Sequence, residues 1–82
     1  MNGTDSDLIG VIEKNRGEDV RVALSSFNGV PLIDIRIYAD FGNGPDRNAT
    51  RKGASLRVER LPELIALLTL AADKARATGL IE

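Results

Sequence analysis

The hydrophobic period of this chain changes once, from two to about 3.6, and the change falls at Pro62. Upstream, residues 19–27 alternate: Val20, Val22 and Leu24 point one way, and Arg21, Ala23, Ser25 and Phe27 the other. Residues 31–41 repeat the pattern, with Ile33, Ile35 and Ile37 opposed to Asp34, Arg36 and Tyr38. Between the two runs stands Asn28-Gly29, the strongest short-range hairpin signal. Residues 8–14 read as a shorter strand that ends at the turn-prone Asn15-Arg16-Gly17, and residues 51–58 as a fourth, with Ala54, Leu56 and Val58 on one face. A polar, Gly-rich stretch from Gly42 to Asn48 joins the third strand to the fourth. The expectation is an α+β domain: a four-stranded curved antiparallel meander, then one C-terminal helix. Residues 1–7 are expected to be a disordered lead-in and residues 8–82 one domain.

Pro62 suits the first turn of a helix and Gly79 its end, although Leu61 occupies the place where a capping Ser, Thr, Asp or Asn would be expected. At about 100° per residue, Leu61, Leu64, Ile65, Leu67, Leu68, Ala71, Ala72 and Ala75 span an arc of roughly 160°. Leu70 lies outside it. A helix covering one small sheet needs a narrower stripe, so the width predicts a second buried face, centred on Leu64, Leu67, Leu68 and Ala71, against a partner subunit. The alternative is a helix sunk more deeply into its own sheet. In 82 residues a core supplies only a few kcal/mol, and no cysteine is present to add a disulfide or thiolate site, so association is expected.

Histidine is absent as well, which weighs against hydrolytic triads and zinc chemistry. Carboxylates are scattered or sit in turns, so neither an enzyme nor a cofactor is expected. No apolar run approaches a membrane span, and a cytoplasmic protein, compatible with nucleoid association, is the default. The net charge of −1 speaks against a polyanion ligand until its distribution is considered. Between Lys14 and Arg60 lie nine basic and six acidic residues, a balance of +3, while the two ends carry two basic and six acidic, a balance of −4.

Single nucleic-acid strands are held by cations that follow phosphates and by aromatic faces on which bases stack. Phe27 and Tyr38 fall on the strand faces opposite the aliphatic rows and share a surface with Arg21 and Arg36. The alternative packs these two rings in a dimer core; Phe41, at the strand end, is assigned to ordinary packing. Arg51 and Lys52 precede Gly53, which allows close backbone approach, and Arg47 lies in the adaptable loop. Asp34, two positions from Arg36 on the same face, is placed to neutralise it.

Taken together, Phe27-Asn28-Gly29, Leu32-Ile33-Asp34-Ile35-Arg36-Ile37-Tyr38, Arg51-Lys52-Gly53-Ala54-Ser55-Leu56 and the Pro-initiated helix resemble the single-strand-binding domain of the transcriptional coactivator family positive cofactor four, in its bacterial form. The resemblance runs from about Leu8 to Ala77. It implies a homodimer held largely through the helices, whose sheets present channels for single-stranded DNA or RNA, and a role in transcription or in protecting melted DNA. Positions matching the family's nucleic-acid contacts are Phe27, Arg36, Tyr38, Arg51 and Lys52, with Arg21 and Arg47 nearby. Two departures stand out: Ala39 where the family often carries a large aromatic, and a hairpin, Asn28-Gly29-Val30, less basic than the family's. The rival reading is a protein-interaction module that uses the same sheet face without nucleic acid; transcription machinery is a further partner that the resemblance suggests.

Overall fold

The computed structural model describes residues 7–42, 44 and 46–82. Four strands follow one another as β1 (Asp7–Asn15), β2 (Glu18–Phe27), β3 (Val30–Ala39) and β4 (Asn48–Arg57); a 3₁₀ turn, Val58–Arg60, then leads into α1 (Leu61–Ala77). The strands pair antiparallel in chain order, as an open four-stranded sheet. The expected lead-in, residues 1–7, lies outside the described residues except for Asp7, which opens β1.

Alternation in the sequence becomes two faces. On one, the cross-strand rows are Ile12–Val20–Ile37, Gly10–Val22–Ile35–Ala54 and Leu24–Ile33–Leu56. On the other they are Glu13–Asp19–Tyr38–Ala49, Val11–Arg21–Arg36–Gly53 and Leu8–Ala23–Asp34–Ser55. Asn28 and Gly29, at φ 51° and 79°, make the tight turn between β2 and β3, a conformation that Asn and Gly enter at least cost. The β1–β2 turn is tied to the far end of β3 by a hydrogen bond from the Asp40 amide to the Gly17 carbonyl, 2.9 Å.

Two boundaries differ from the expectation. β4 begins at Asn48, three residues early, because Ala49 and Asn48 pair with Tyr38 and Ala39 across an irregular register. Val58, expected at the end of that strand, instead starts the 3₁₀ turn, which makes Arg60 the residue preceding the helix and puts Leu61 inside it. No side chain caps that end. The other end closes as expected: Gly79 takes φ 79° and donates to the Arg76 carbonyl while Leu80 donates to Ala75, a paired closure of the last turn.

The helix does not lie on its own sheet. Its main contact is with the 3₁₀ turn that delivers it, and none of its residues is buried. Ile65, Leu67, Leu68 and Leu70 are all more than half exposed. Across the aliphatic sheet face only Ile33 is buried among the described hydrophobic residues, and Leu24 and Leu56, its row neighbours, remain exposed. The radius of gyration, 15.0 Å, exceeds the roughly 12 Å of a compact domain of this length. The helix, expected to set one face on its own sheet and a second on a partner, leaves both open in the chain as described. No described helix is long and apolar enough to cross a membrane.

Candidate nucleic-acid interface

The polar face is organised around two carboxylates, each set two residues from an arginine on its own strand. On β3, Asp34 receives Arg36 side-on, Nε to Oδ2 at 3.2 Å and Nη2 to Oδ1 at 2.8 Å, and also accepts from the Ser55 hydroxyl at 2.6 Å. On β2, Asp19 receives Arg21 in the same way, Nε to Oδ1 at 2.8 Å and Nη2 to Oδ2 at 3.4 Å. The register sets Arg21 directly opposite Arg36, a like-charge pair that would destabilise the ladder if left alone. The two aspartates bracket it and supply the compensation. Both carboxyls sit below their ordinary range, Asp19 chiefly through Arg21 and Asp34 chiefly through Arg36, while both guanidiniums are held more firmly protonated.

Arg47 reaches the same centre from the loop between β3 and β4. Its Nη1 meets Asp19 at 2.8 Å and Glu13 at 3.3 Å, and its Nη2 donates to the Arg16 carbonyl at 2.9 Å. Asp19, only 3% exposed, thus joins β2, the loop and, through Arg47, the β1–β2 turn. Arg21 also lies over the Tyr38 ring, with its Cζ 4.2 Å from the centroid. Tyr38 is half-buried under that contact, whereas Phe27, at the turn end of β2, is 68% exposed.

Gly53 faces Arg36, but Ala49 faces Tyr38, so Thr50, Arg51 and Lys52 together stand opposite Ile37 alone. Thr50 stitches this bulge: its hydroxyl donates to the Ile37 carbonyl at 2.8 Å and accepts from the Lys52 amide at 3.1 Å, and its carbonyl accepts from Arg36 Nη1 at 3.1 Å. Gly53 follows because a Cβ there would run into the Ile35 carbonyl oxygen and lie 2.8 Å from the Arg36 Cα. Arg51 and Lys52 project from the bulge, exposed and without an ion pair among the described residues.

Of the seven residues singled out by sequence, Arg21, Arg36, Tyr38 and Arg47 therefore gather at one end of the polar face, and Arg51 and Lys52 stand on the β4 bulge at that end of the sheet. Phe27 stands apart, eight residues along β2 from the Asp19–Tyr38 row, or about 27 Å at strand spacing. The cations fall into two kinds. Arg21, Arg36 and Arg47 are engaged by carboxylates; Arg51 and Lys52 are open. Asp19 and Glu13 were missed as members of the cluster. The Asp19-x-Arg21 spacing was the available signal, identical to that of Asp34-x-Arg36. Phe41, assigned to packing, is 57% exposed.

A family model described as transcriptional coactivator p15 (PC4) matches residues 14–67. Among solved structures, the chain is similar to BPSL1147, a PC4 homolog from Burkholderia pseudomallei K96243. Its tetragonal crystal form gives a TM-score of 0.74 at 28% identity, covering 83% of this chain and 98% of that one. The orthorhombic form gives the same score and identity over 83% and 90%. No curated protein matches the chain.

Proposed function

The chain belongs to the transcriptional coactivator p15 (PC4) family, and on that premise we propose that it is a homodimeric single-stranded DNA-binding protein, able to accept RNA, that acts in transcription. Phosphates run past the β4 bulge, and bases meet the polar sheet face and Phe27. The observation that carries this reading is the pair Arg51 and Lys52: adjacent, exposed and outside any close ion pair among the described residues, with Glu18 attracting Lys52 only at longer range, on a bulge braced by Arg36. Arg21, Arg36 and Arg47, already paired, contribute shape and hydrogen bonds more than net charge. An acidic protein binds a polyanion here because two cations outside any ion pair stand side by side, whereas Arg16 and Lys74, the other such cations among the described residues, stand singly.

The dimer is supported by the bare apolar arc of α1 and by the open aliphatic sheet face, which a second copy can cover reciprocally. In the dimer Leu64, Leu67, Leu68 and Ala71 line the contact. The cytoplasm, with access to the nucleoid, is the compartment this role requires.

Salt titration of single-strand binding tests the electrostatic half. Log K falls against log salt by about 0.7 per phosphate contact, so replacing Arg51 and Lys52 together by Ala flattens the slope by about 1.4. Replacing Lys74 and Arg76, on α1, leaves it almost unchanged. Equal flattening by both double variants would mean diffuse charge without a located path, and no binding of oligo(dT), oligo(U) or duplex at low salt would favour the interaction module.

A further inference from the structure

Above Ala23, where a small side chain leaves the polar face low, there is a hollow of about 130 Å³ lined by Leu8, Arg21, Ala23, Asp34 and Tyr38. Sites that take a drug-sized ligand measure roughly 300–1,000 Å³, so this one suits a single flat ring system. Its lining is mixed in a particular way. Leu8 and Ala23 are apolar, Arg21 presents a guanidinium already stacked on Tyr38, and Asp34 presents a carboxylate from the neighbouring strand.

Both charged groups keep hydrogen-bonding capacity that the protein does not use. Arg21 uses Nε and one hydrogen of Nη2 on Asp19, which leaves three of the five guanidinium N–H groups, including both on Nη1. Asp34 takes two hydrogen bonds on Oδ1 but only one on Oδ2, so Oδ2 keeps acceptor capacity. A fork of donors and a carboxylate acceptor therefore line one hollow, with the stacked Arg21 and Tyr38 at its edge.

We propose that this hollow reads one base of the bound strand and prefers guanine or cytosine; the inference rests on the single-strand reading above. Both bases have an edge on which two acceptors are followed by a donor. On guanine the run is N7, O6 and N1–H; on cytosine it is O2, N3 and the N4 amino group. Arg21 serves the two acceptors and Asp34 the donor. Adenine and thymine or uracil alternate acceptor, donor, acceptor, which leaves one arm of the fork unmatched. The ion pair with Asp19 fixes the guanidinium plane, and the bonds from Arg36 and Ser55 fix the carboxylate. The paired charges that add nothing to phosphate attraction thereby acquire a use in discrimination.

The test compares a labelled oligo(dT) with the same strand carrying one central dG, dC or dA, at one salt concentration. The dG and dC strands are expected to bind about five- to tenfold more tightly than the dA and all-dT strands. Arg21→Lys keeps the charge but loses the fork, and Asp34→Asn keeps the shape but loses the anion. Each should bring the ratio between strands close to one, whichever way the common affinity moves. Because a ratio is read, a partial loss of folded protein cancels, and circular dichroism identifies a variant that does not fold. Equal affinity of the wild type for all four strands overturns the base-reading site while leaving single-strand binding intact. A preference that survives both substitutions overturns it too, by locating discrimination elsewhere. Failure of the wild type to bind any strand at low salt defeats the function reading itself, and this inference with it.

Discussion

In the sheet, each strand spends its backbone groups on at least one neighbour, and Arg21, Arg36 and Arg47 each meet a carboxylate; the helix satisfies its backbone internally and leaves four large aliphatic side chains more than half exposed. No buried side-chain polar atom among the described residues lacks a partner. The difference separates two requirements that are often met together. Hydrogen bonding of the buried polar side chains is completed within the chain as described. Burial of apolar surface is not, and at about 25 cal/mol per Å² the larger source of stability is the one left open in the chain as described.

The strongest way to break that comparison is Leu68→Glu, which sets a charge in the middle of the apolar arc. The variant is expected to sediment as a monomer and to lose its cooperative thermal transition, a cost of several kcal/mol. Leu70→Glu is the matched contrast, since Leu70 is exposed to a similar degree but lies outside the arc; it should remain associated. A wild type that sediments as a monomer at tens of micromolar would show that the helix face is not deferred to a second copy.

Gly53→Ala attacks the sheet instead. The added methyl meets the Ile35 carbonyl, and the β3–β4 ladder must shift to admit it, at about 1–3 kcal/mol. The expected outcome is a lower melting temperature with unchanged sedimentation of the folded protein. Unchanged stability would mean that the bulge is looser than its hydrogen bonds imply.

Phe27→Ala sharpens the contrast within the sheet, between paired charges and an unpaired ring. With the ring 68% exposed, stability should stay within about 0.5 kcal/mol, while single-strand affinity falls by about 1–3 kcal/mol if a base stacks there. A drop in stability with affinity per folded molecule preserved would assign the ring to packing.

What could be read in advance follows the range of the interactions. The two faces of β2 and β3, the Asn28-Gly29 turn and the Gly79 closure depend on residues within a few positions, and the sequence states them directly. Asp34 neutralising Arg36 was visible for the same reason, as an i, i+2 pair on one strand face. The salt bridge from Arg47 to Asp19 spans 28 positions and depends on how the loop folds back, which no local pattern encodes. The β4 bulge was hidden similarly: Arg51 and Lys52 look like two successive strand residues, one on each face, until the register shows three residues sharing a single partner. The helix was half legible. Its arc was too wide for one sheet, but the 3₁₀ turn that swings it clear of its own sheet has no signature beyond Pro62.

Strand order that follows chain order has a kinetic meaning. Each strand closes onto the one just before it, through connections that lengthen only between β3 and β4, so no step of sheet formation waits for a distant partner and the loop-closure entropy stays low. The segment that carries the apolar arc comes last. In a dimer built this way the order of events is set by connectivity: an intramolecular zippering whose rate is indifferent to concentration, then a collision whose rate is proportional to it. For the dimer proposed above, dilution is therefore expected to lengthen the interval in which a chain has paired its strands and still exposes its aliphatic surface.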